Sequence, residues 1–201
     1  SIVNTCAVTH KATRESRHAA RDAFRTANVG ALTVVTGCAS ELEPEYFAGV
    51  EGVALVTGHD EKEQLIPLLM ERGLLPPPNP IDSEAFPLPH TRTRAFVKIQ
   101  DGCGNRCAYC VSRLARGAER SRPVASIAAE VRMLVAESFN EGVLTGLHAA
   151  SYGRDHDTNL PALVRALLQQ TDVKRLRLSS LEPWGASDEL LELWHDARLC
   201  R

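Results

Sequence analysis

No apolar run in this chain of 201 residues approaches the roughly 18–20 residues of a membrane span, and no secretory leader is visible, so no membrane partner is expected. An excess of basic charge is also missing. The formal net charge of −2 gives no overall electrostatic case for nucleic acid, and any RNA contact must come from local patches or from further parts of the protein. The initiating methionine is absent too: the chain opens on Ser1, directly on a strand-like run, and stops at Cys200-Arg201 straight after a helical pattern. Both ends read as cut, and a longer parent protein is expected. What is present is ordinary for a globular protein, with 44% hydrophobic and 24% charged residues, enough for one large domain or two small ones. Six cysteines without a leader argue for a reducing, cytoplasmic setting and for metal ligation over disulfides.

Three of those cysteines organise the chain. In CGNRCAYC, Cys103, Cys107 and Cys110 sit in a glycine-containing loop just after the strand-like run Ala95–Ile99. A structural zinc site wants four closed ligands, commonly two C-x2-C knuckles. Three thiolates can instead hold an iron–sulfur cluster and leave one iron open. The C-x3-C-x2-C spacing after a strand resembles the S-adenosylmethionine (SAM) binding motif of radical SAM enzymes.

The first half alternates strand and helix. Ile2–Thr5 reads as a strand, and a helix from about His10 aligns Ala12, Ser16, Ala19, Ala20, Ala23, Phe24 and Ala27 on one face, ending near Asn28 and Gly30. Ala31–Thr36 reads as a buried strand, a short helix follows near Glu41–Phe47, and Val53–Val56 is a third strand. Asp60 and Glu63 suggest a capping pair for a helix through Met70, with Pro67 expected to kink or divide it. This alternation predicts a small parallel α/β sheet over residues 1–72. Cys6 and Cys38 fall at the carboxyl ends of two of its strands, the edge where open α/β sheets put ligand sites. On spacing alone they are either converging ligands or small buried hydrophobes.

Residues 73–94 form a linker, since six of the eleven prolines lie between Pro76 and Pro89 and favour extended chain. From residue 95 to 201 three βα units follow. Pro123 opens a helix with Ile127, Val131, Leu134, Val135 and Ser138 on one face, and Gly142 is expected to end it before the strand Val143–Thr145. Leu160-Pro161 opens the next helix, Arg175–Leu178 is a strand, and Ser187 caps a final helix through Trp194. The cysteine loop, GLHAASYG and SSLEPWG all fall at the carboxyl edge of this sheet, which favours one site built from three loops. Arg113, Arg116, Arg120 and Arg122 add a local positive cluster.

Taken together, VNTCAVT (3–9), VVTGC (34–38), FVKIQDGCGNRCAYC (96–110), RGAERSRP (116–123), VLTGLHAASYG (143–153) and RLSSLEPW (177–184) resemble the methylthiotransferase family of radical SAM enzymes. The resemblance spans nearly the whole chain in matching order. It implies an α/β protein: a flavodoxin-like parallel-sheet N-terminal domain, then the first half of a radical SAM partial (β/α) barrel, without the later strands and the RNA-binding TRAM domain. RLSSLEPW with VNTCAVT is most similar to the branch acting on N6-threonylcarbamoyladenosine at position 37 of tRNA. Other branches act on isopentenyladenosine in tRNA or on a ribosomal protein.

By that resemblance Cys103, Cys107 and Cys110 hold the SAM-binding [4Fe-4S] cluster. Cys6 and Cys38 supply two of three ligands of an auxiliary [4Fe-4S] cluster whose first cysteine lies upstream. Tyr109 is expected near the SAM adenine or as loop packing. Gly146 and Leu147 present backbone to the methionyl group, and Ser180 and Glu182 contact SAM or substrate or cap their loop. Arg116, Arg120 and Arg122 hold a carboxylate or tRNA phosphate or form a solvated basic face. An electron donor of flavodoxin or ferredoxin type completes the partners. Val111-Ser112-Arg113, where the family has an apolar pair and a proline, predicts a local loop change. His148 and His156 receive no role, Cys200 is a structural thiol, and Trp184 and Trp194 are packing residues. A non-catalytic metal-binding module is the alternative from another class.

Overall fold

The structure is a computed structural model, and it describes residues 1–26, 31–76, 93–179 and 181–200. The described chain divides into two compact units: residues 1–76 with Asn105–Gly117, and residues 93–104 with 118–200. Most of the proline-rich stretch (77–92) lies outside the described residues, as do Asn28, Gly30 and Ala27 at the expected end of the first helix.

The first unit is a three-stranded parallel sheet in the order β1 (Ile2–Thr5), β2 (Thr33–Gly37), β3 (Val53–Val56). All five residues of β2 are buried, as its β-branched run requires of a strand covered on both faces. α1 (His10–Arg25) begins where Thr9 accepts a hydrogen bond from the Ala12 amide, and buries Ser16 and Ala20; Ala19, expected on that face, is exposed. The single helix expected near Glu41–Phe47 is two, α2 (Cys38–Leu42) and α3 (Pro44–Ala48), because Pro44 cannot continue the first and instead opens the second. Phe47 of α3 fills a core with Val35, Ala20 and Ala39.

Beyond β3 the cap position falls one residue before the expected Asp60. His59 holds the cap position of a 3-10 turn over Asp60–Gln64, and the Glu41 carboxylate accepts from the His59 amide at 2.9 Å. α4 (Leu65–Glu71) then starts afresh, so Pro67 sits in a first turn that tolerates it.

The second unit is a four-stranded sheet in the order β5 (Arg120–Ser121), β4 (Arg94–Asp101), β6 (Glu141–Gly146), β7 (Arg175–Leu178). β4, β6 and β7 are parallel and adjacent in chain order, the arrangement of consecutive βα units in a barrel. β5 is antiparallel to the end of β4 and was not expected; two residues leave no periodicity to read. α6 (Val124–Ala136) and α7 (Leu160–Gln170) cover one face, where Val97, Ile99, Leu144 and Leu176 meet Ile127, Val131, Leu163 and Leu167. α8 (Asp188–Glu192) is capped by the Ser187 hydroxyl, which accepts from the Leu190 amide. After it, Leu199 forms a parallel bridge to Leu176 on the open side of β7.

Gly142 does not end α6. The helix closes at Ser138, which takes a φ of 68°, while the Phe139 amide bonds the Leu134 carbonyl; Gly142 lies inside β6. Ser138 is therefore off the apolar face assigned to it.

Candidate functional site

In the first unit, β1 and β2 pair in register up to Thr5 and Gly37, so Cys6 and Cys38 are the next residue on each of two adjacent strands, whose spacing is about 4.8 Å. The backbone around both is pinned. The Ser16 hydroxyl accepts from the Cys6 amide at 2.9 Å and donates to the Cys6 carbonyl at 3.1 Å. The Ser40 hydroxyl donates to the carbonyls of Gly37 and Thr57, and its amide donates to Thr5 Oγ1 at 3.1 Å. Gly37 has a φ of 114°, and a Cβ there would fall on the backbone of Thr5. Only glycine lets β2 pass so close and turn directly into α2.

The thiols themselves are left open. Cys6 is exposed and Cys38 half-buried, which removes the small-buried-hydrophobe alternative for Cys6. Arg116 at the end of α5 (Ser112–Arg116) points its Nε at Cys38 Sγ, 3.4 Å away. Its guanidinium therefore faces a thiol of its own unit, whereas the sequence suggested phosphate or carboxylate. Val111 packs against the core containing Ala39 and Phe47, so the Val111-Ser112-Arg113 departure forms a short helix anchored by one apolar side chain.

Cys107 and Cys110 close a turn, with the Cys110 amide donating to the Cys107 carbonyl at 3.1 Å. Tyr109 between them is 92% exposed. It borders a cleft of about 470 Å³ with Thr9, His10, Thr13 and Arg14.

In the second unit, Cys103 follows β4 and is half-buried. The segment that leads to it is organised by Gln100, which is 1% exposed. Its Nε2 donates to the carbonyls of Asp101 and Gly102, and its Oε1 accepts from the His148 amide at 3.0 Å. One buried amide thus ties the cysteine loop to the loop after β6, using every donor and acceptor it needs. Gly146 packs against the same side chain: a Cβ there would lie 2.9 Å from Gln100 Oε1.

Sequence reasoning passed over two members of this edge, Gln100 and His148. His148 is 2% exposed, and among the described residues neither ring nitrogen has a hydrogen-bond partner. Its Nε2 lies 3.4 Å from Glu182 Oε2, within ion-pair range yet too long or oblique for a hydrogen bond, and that oxygen is likewise buried and unpartnered. The signal was its position two residues beyond a strand end, at the edge already singled out. Ser180 lies outside the described residues. Leu147 is half-buried beside Gly146.

The arginines part company. Arg122 is taken up internally, its guanidinium 2.6 Å from Glu130 and donating to the Lys98 carbonyl and Ser126 hydroxyl. Arg120 is exposed on β5. β5 is in turn held by Asp155, which accepts from the Ser121 amide at 2.7 Å, and by Ser121 Oγ, which accepts from the Gly153 amide. Burial works against the Asp155 charge, but these Ser121 bonds hold its carboxyl below the usual range. Tyr152 donates to the Arg122 carbonyl, and burial, aided by Asp155, pushes its hydroxyl up to about 12. His156 faces the Ser121 carbonyl and Asp155, a local role. Cys200 continues the bridge beside β7 through its backbone, and Trp194 donates to its carbonyl. Trp184, expected to pack, is 72% exposed.

All six cysteines are free thiols, and among the described residues no three His, Cys, Asp or Glu side chains gather as a ready metal cage. The donor set nonetheless suits an iron–sulfur cluster. Cys103, Cys107 and Cys110 are three soft ligands within eight residues, on a loop at a sheet's carboxyl edge, and at least one of them is solvent-accessible.

Residues 1–58 match a family described as Uncharacterized protein family UPF0004. The chain is 34% identical over 189 residues to the threonylcarbamoyladenosine tRNA methylthiotransferase MtaB of Chlamydia pneumoniae, covering 94% of this chain and 43% of that protein. The MtaB of Bacillus subtilis (strain 168) is 34% identical over 204 residues, covering 96% and 45%. The ribosomal protein uS12 methylthiotransferase RimO of Trichlorobacter lovleyi is 34% identical over 214 residues, covering 99% and 48%. The chain is thus similar along nearly its whole length to methylthiotransferases. It spans about half the length of the curated relatives it matches.

The fold has a solved counterpart in the radical S-adenosylmethionine methyltransferase TsrM of Kitasatospora setae, solved with cobalamin and a [4Fe-4S] cluster bound. There the TM-score is 0.60 at 17% identity, over 98% of this chain and 46% of that one. The expected α/β class, a parallel sheet followed by consecutive βα units, is the observed one. Among the described residues no helix is long and apolar enough to cross a membrane.

Proposed function

We propose that this chain is the cofactor-binding part of a methylthiotransferase that places a methylthio group on C2 of N6-threonylcarbamoyladenosine at position 37 of tRNA. The observation that carries it is the three-cysteine loop at the carboxyl end of β4, within a sequence that matches MtaB proteins over nearly its whole length. C2 carries an unactivated C–H bond that no side chain can deprotonate usefully near neutral pH. A cluster on Cys103, Cys107 and Cys110, with SAM at its open iron, supplies the one-electron chemistry such a bond requires.

The chain's own residues bind and orient. Gly146 and Leu147 offer backbone to the methionyl end of SAM, held at the right height by Gln100. Glu182, with Ser180, contacts SAM or substrate. Tyr109, exposed between two of the cysteines, is available to stack on an adenine. Cys6 and Cys38, side by side with open thiols, are two ligands of a second, sulfur-carrying cluster, and Arg116 sits against one of them. Arg120, exposed on β5, is the arginine proposed to meet tRNA phosphate, and Arg122 is held by Glu130 and the Lys98 carbonyl. The partners are tRNA, SAM and a small electron-transfer protein, in the cytoplasm.

The uS12 reading remains as a second one because a RimO protein is equally identical over 99% of the chain. Anaerobic reconstitution with iron and sulfide tests the cofactor reading. About eight irons per chain, falling to about four in Cys103→Ala/Cys107→Ala/Cys110→Ala, support two clusters. About four falling to none supports the SAM centre alone, and zinc without iron overturns both. Deleting the gene should remove the methylthiolated threonylcarbamoyladenosine from tRNA hydrolysates. Its persistence together with an unmodified uS12 would assign the ribosomal-protein branch.

A further inference from the structure

We propose that His148 is a positioning residue for Glu182, holding that carboxylate at the carboxyl edge of the second unit's sheet as the acceptor for an N–H group of the bound ligand. The inference rests on the reading of Glu182 as a ligand contact and adds the group through which that contact is set.

His148 is fixed from three sides by its own backbone. Its amide donates to Gln100 Oε1 at 3.0 Å, and its carbonyl accepts from both the amide and the hydroxyl of Ser151 at 2.9 Å. The ring is therefore carried to its buried place by hydrogen bonds that do not involve the ring. An imidazole sealed from solvent with both nitrogens idle is costly, and native proteins rarely tolerate it without a reason. Glu182 comes within ion-pair range of it: its Oε2, 3.4 Å from Nε2, is equally sealed and has no hydrogen-bond partner among the described residues. A proton on Nε2 turns this pair into a charge-assisted hydrogen bond after an approach of a few tenths of an ångström, of the kind that settles when a ligand arrives.

Glu182 is not buried as a whole. Its side chain is 27% exposed although Oε2 is sealed, so the residue as a whole still reaches solvent at this edge. The two residues come from different strands' loops, His148 after β6 and Glu182 after β7, so the pair also fixes one loop against the other. A carboxylate that a neighbouring imidazole orients selects ligands by their N–H donors. Within the proposed reaction these are the ammonium group of SAM and the N–H groups of the modified adenine, and the two are separable in solution.

The test uses Glu182→Gln, His148→Phe, His148→Gln and the double variant Glu182→Gln/His148→Phe. In the metal-free chain, imidazole 15N–1H correlation spectra should show the His148 ring signals moving in Glu182→Gln; unchanged signals overturn the pairing. In the chain reconstituted with iron and sulfide, binding of SAM and of the free nucleoside N6-threonylcarbamoyladenosine is measured separately. Glu182→Gln and His148→Phe should each weaken the same one of the two ligands by about tenfold. The double variant should lose little more than either, and His148→Gln, which keeps an N–H donor, should recover part of the loss. If Glu182→Gln weakens neither ligand, the ligand-contact reading of Glu182 itself fails. If it weakens one while His148→Phe leaves both unchanged, only the positioning role fails.

Discussion

The carboxyl edges of the two sheets do similar jobs by different means. In the first unit the edge is built of small residues: Thr5, Gly37, Ser40 and Ser16 pin the backbone through hydroxyls and one positive-φ glycine, and two thiols are left open on adjacent strands. In the second unit it is built of large buried polar side chains, Gln100 bonded to three backbone groups and His148 facing Glu182. A hydroxyl extends little beyond the backbone and pins only segments that already pack closely, so it suits an edge whose functional atoms belong to the strand ends themselves. A buried amide or imidazole spans from one loop to the next, as a site assembled from several loops needs. The first edge should accordingly fail by steric clash, and the second by loss of polar partners.

Iron content is the coarsest way to separate them. Removing Cys103, Cys107 and Cys110 should abolish the SAM-centre iron completely while leaving any iron that depends on Cys6 and Cys38. Removing Cys6 and Cys38 should do the converse, as measured by iron and sulfide assay with EPR of the reduced protein. If either set of substitutions empties both sites, the edges are not independent.

Glycine substitution sharpens the contrast. At Gly37 an added Cβ meets the Thr5 backbone and the φ of 114° is itself strained, so Gly37→Ala should cost about 3 kcal/mol or more in urea denaturation. At Gly146 the φ is ordinary, but the nearest atom is the amide oxygen of Gln100, which three hydrogen bonds hold in place, so Gly146→Ala should cost about 2 kcal/mol, through those bonds and not through backbone strain. Equal costs would mean that both edges are limited by backbone approach.

Polar deletion should reverse the order. Gln100→Ala leaves the His148 amide and the carbonyls of Asp101 and Gly102 without their partner, and about 2–3 kcal/mol is expected. Ser40→Ala removes one hydroxyl from a network that Thr5 partly backs up, for about 1 kcal/mol. Hydrogen-exchange protection of the His148 amide reports the first change directly.

Which parts of this were readable beforehand follows from how local the cause was. β1, β3 and β7 fall where their β-branched or alternating runs put them, because a parallel strand needs only itself to announce it. Cys6 and Cys38 could be matched as strand-end residues because topology alone pairs them. The end of α6 was misread: glycine is the usual left-handed terminator, but Leu134 and Val135 had already committed their carbonyls, and Ser138 took the strained conformation four residues before Gly142. β5 has two residues, paired with the end of β4 and held from the other side by Asp155 and Gly153, more than thirty positions away. The His148–Glu182 pair is of the same kind, since a lone histidine carries no sign of what a distant loop brings to it. Arg116 likewise meets a group 78 positions away, the Cys38 thiol, which its own stretch of sequence could not announce.

The smallest expected effect lies at the other end of the second sheet and serves as a control for its functional edge. At the amino end of β6, Glu141 is 8% exposed and takes Arg177 Nε at 2.8 Å and Arg94 Nε at 3.1 Å, from the strands on either side. The Arg177 hydrogen bond, with Arg94 adding to it, outweighs burial and holds the Glu141 carboxyl below its ordinary value of 4.5. A carboxyl with a depressed folded-state pKa stabilises the fold above its unfolded pKa, and that contribution is lost as pH falls through the folded value. Glu141→Gln should therefore lower Tm at neutral pH by about 2–4 °C, since both arginines are largely solvated and such pairs are weak. The gap between wild type and variant should stay constant down to about pH 5 and close progressively below the ordinary carboxylate range. SAM binding should not change in this variant at any pH where both proteins are folded. A gap that widens on acidification would mean that burial governs Glu141, and a change in SAM binding would mean that the two ends of the strands are coupled through the sheet.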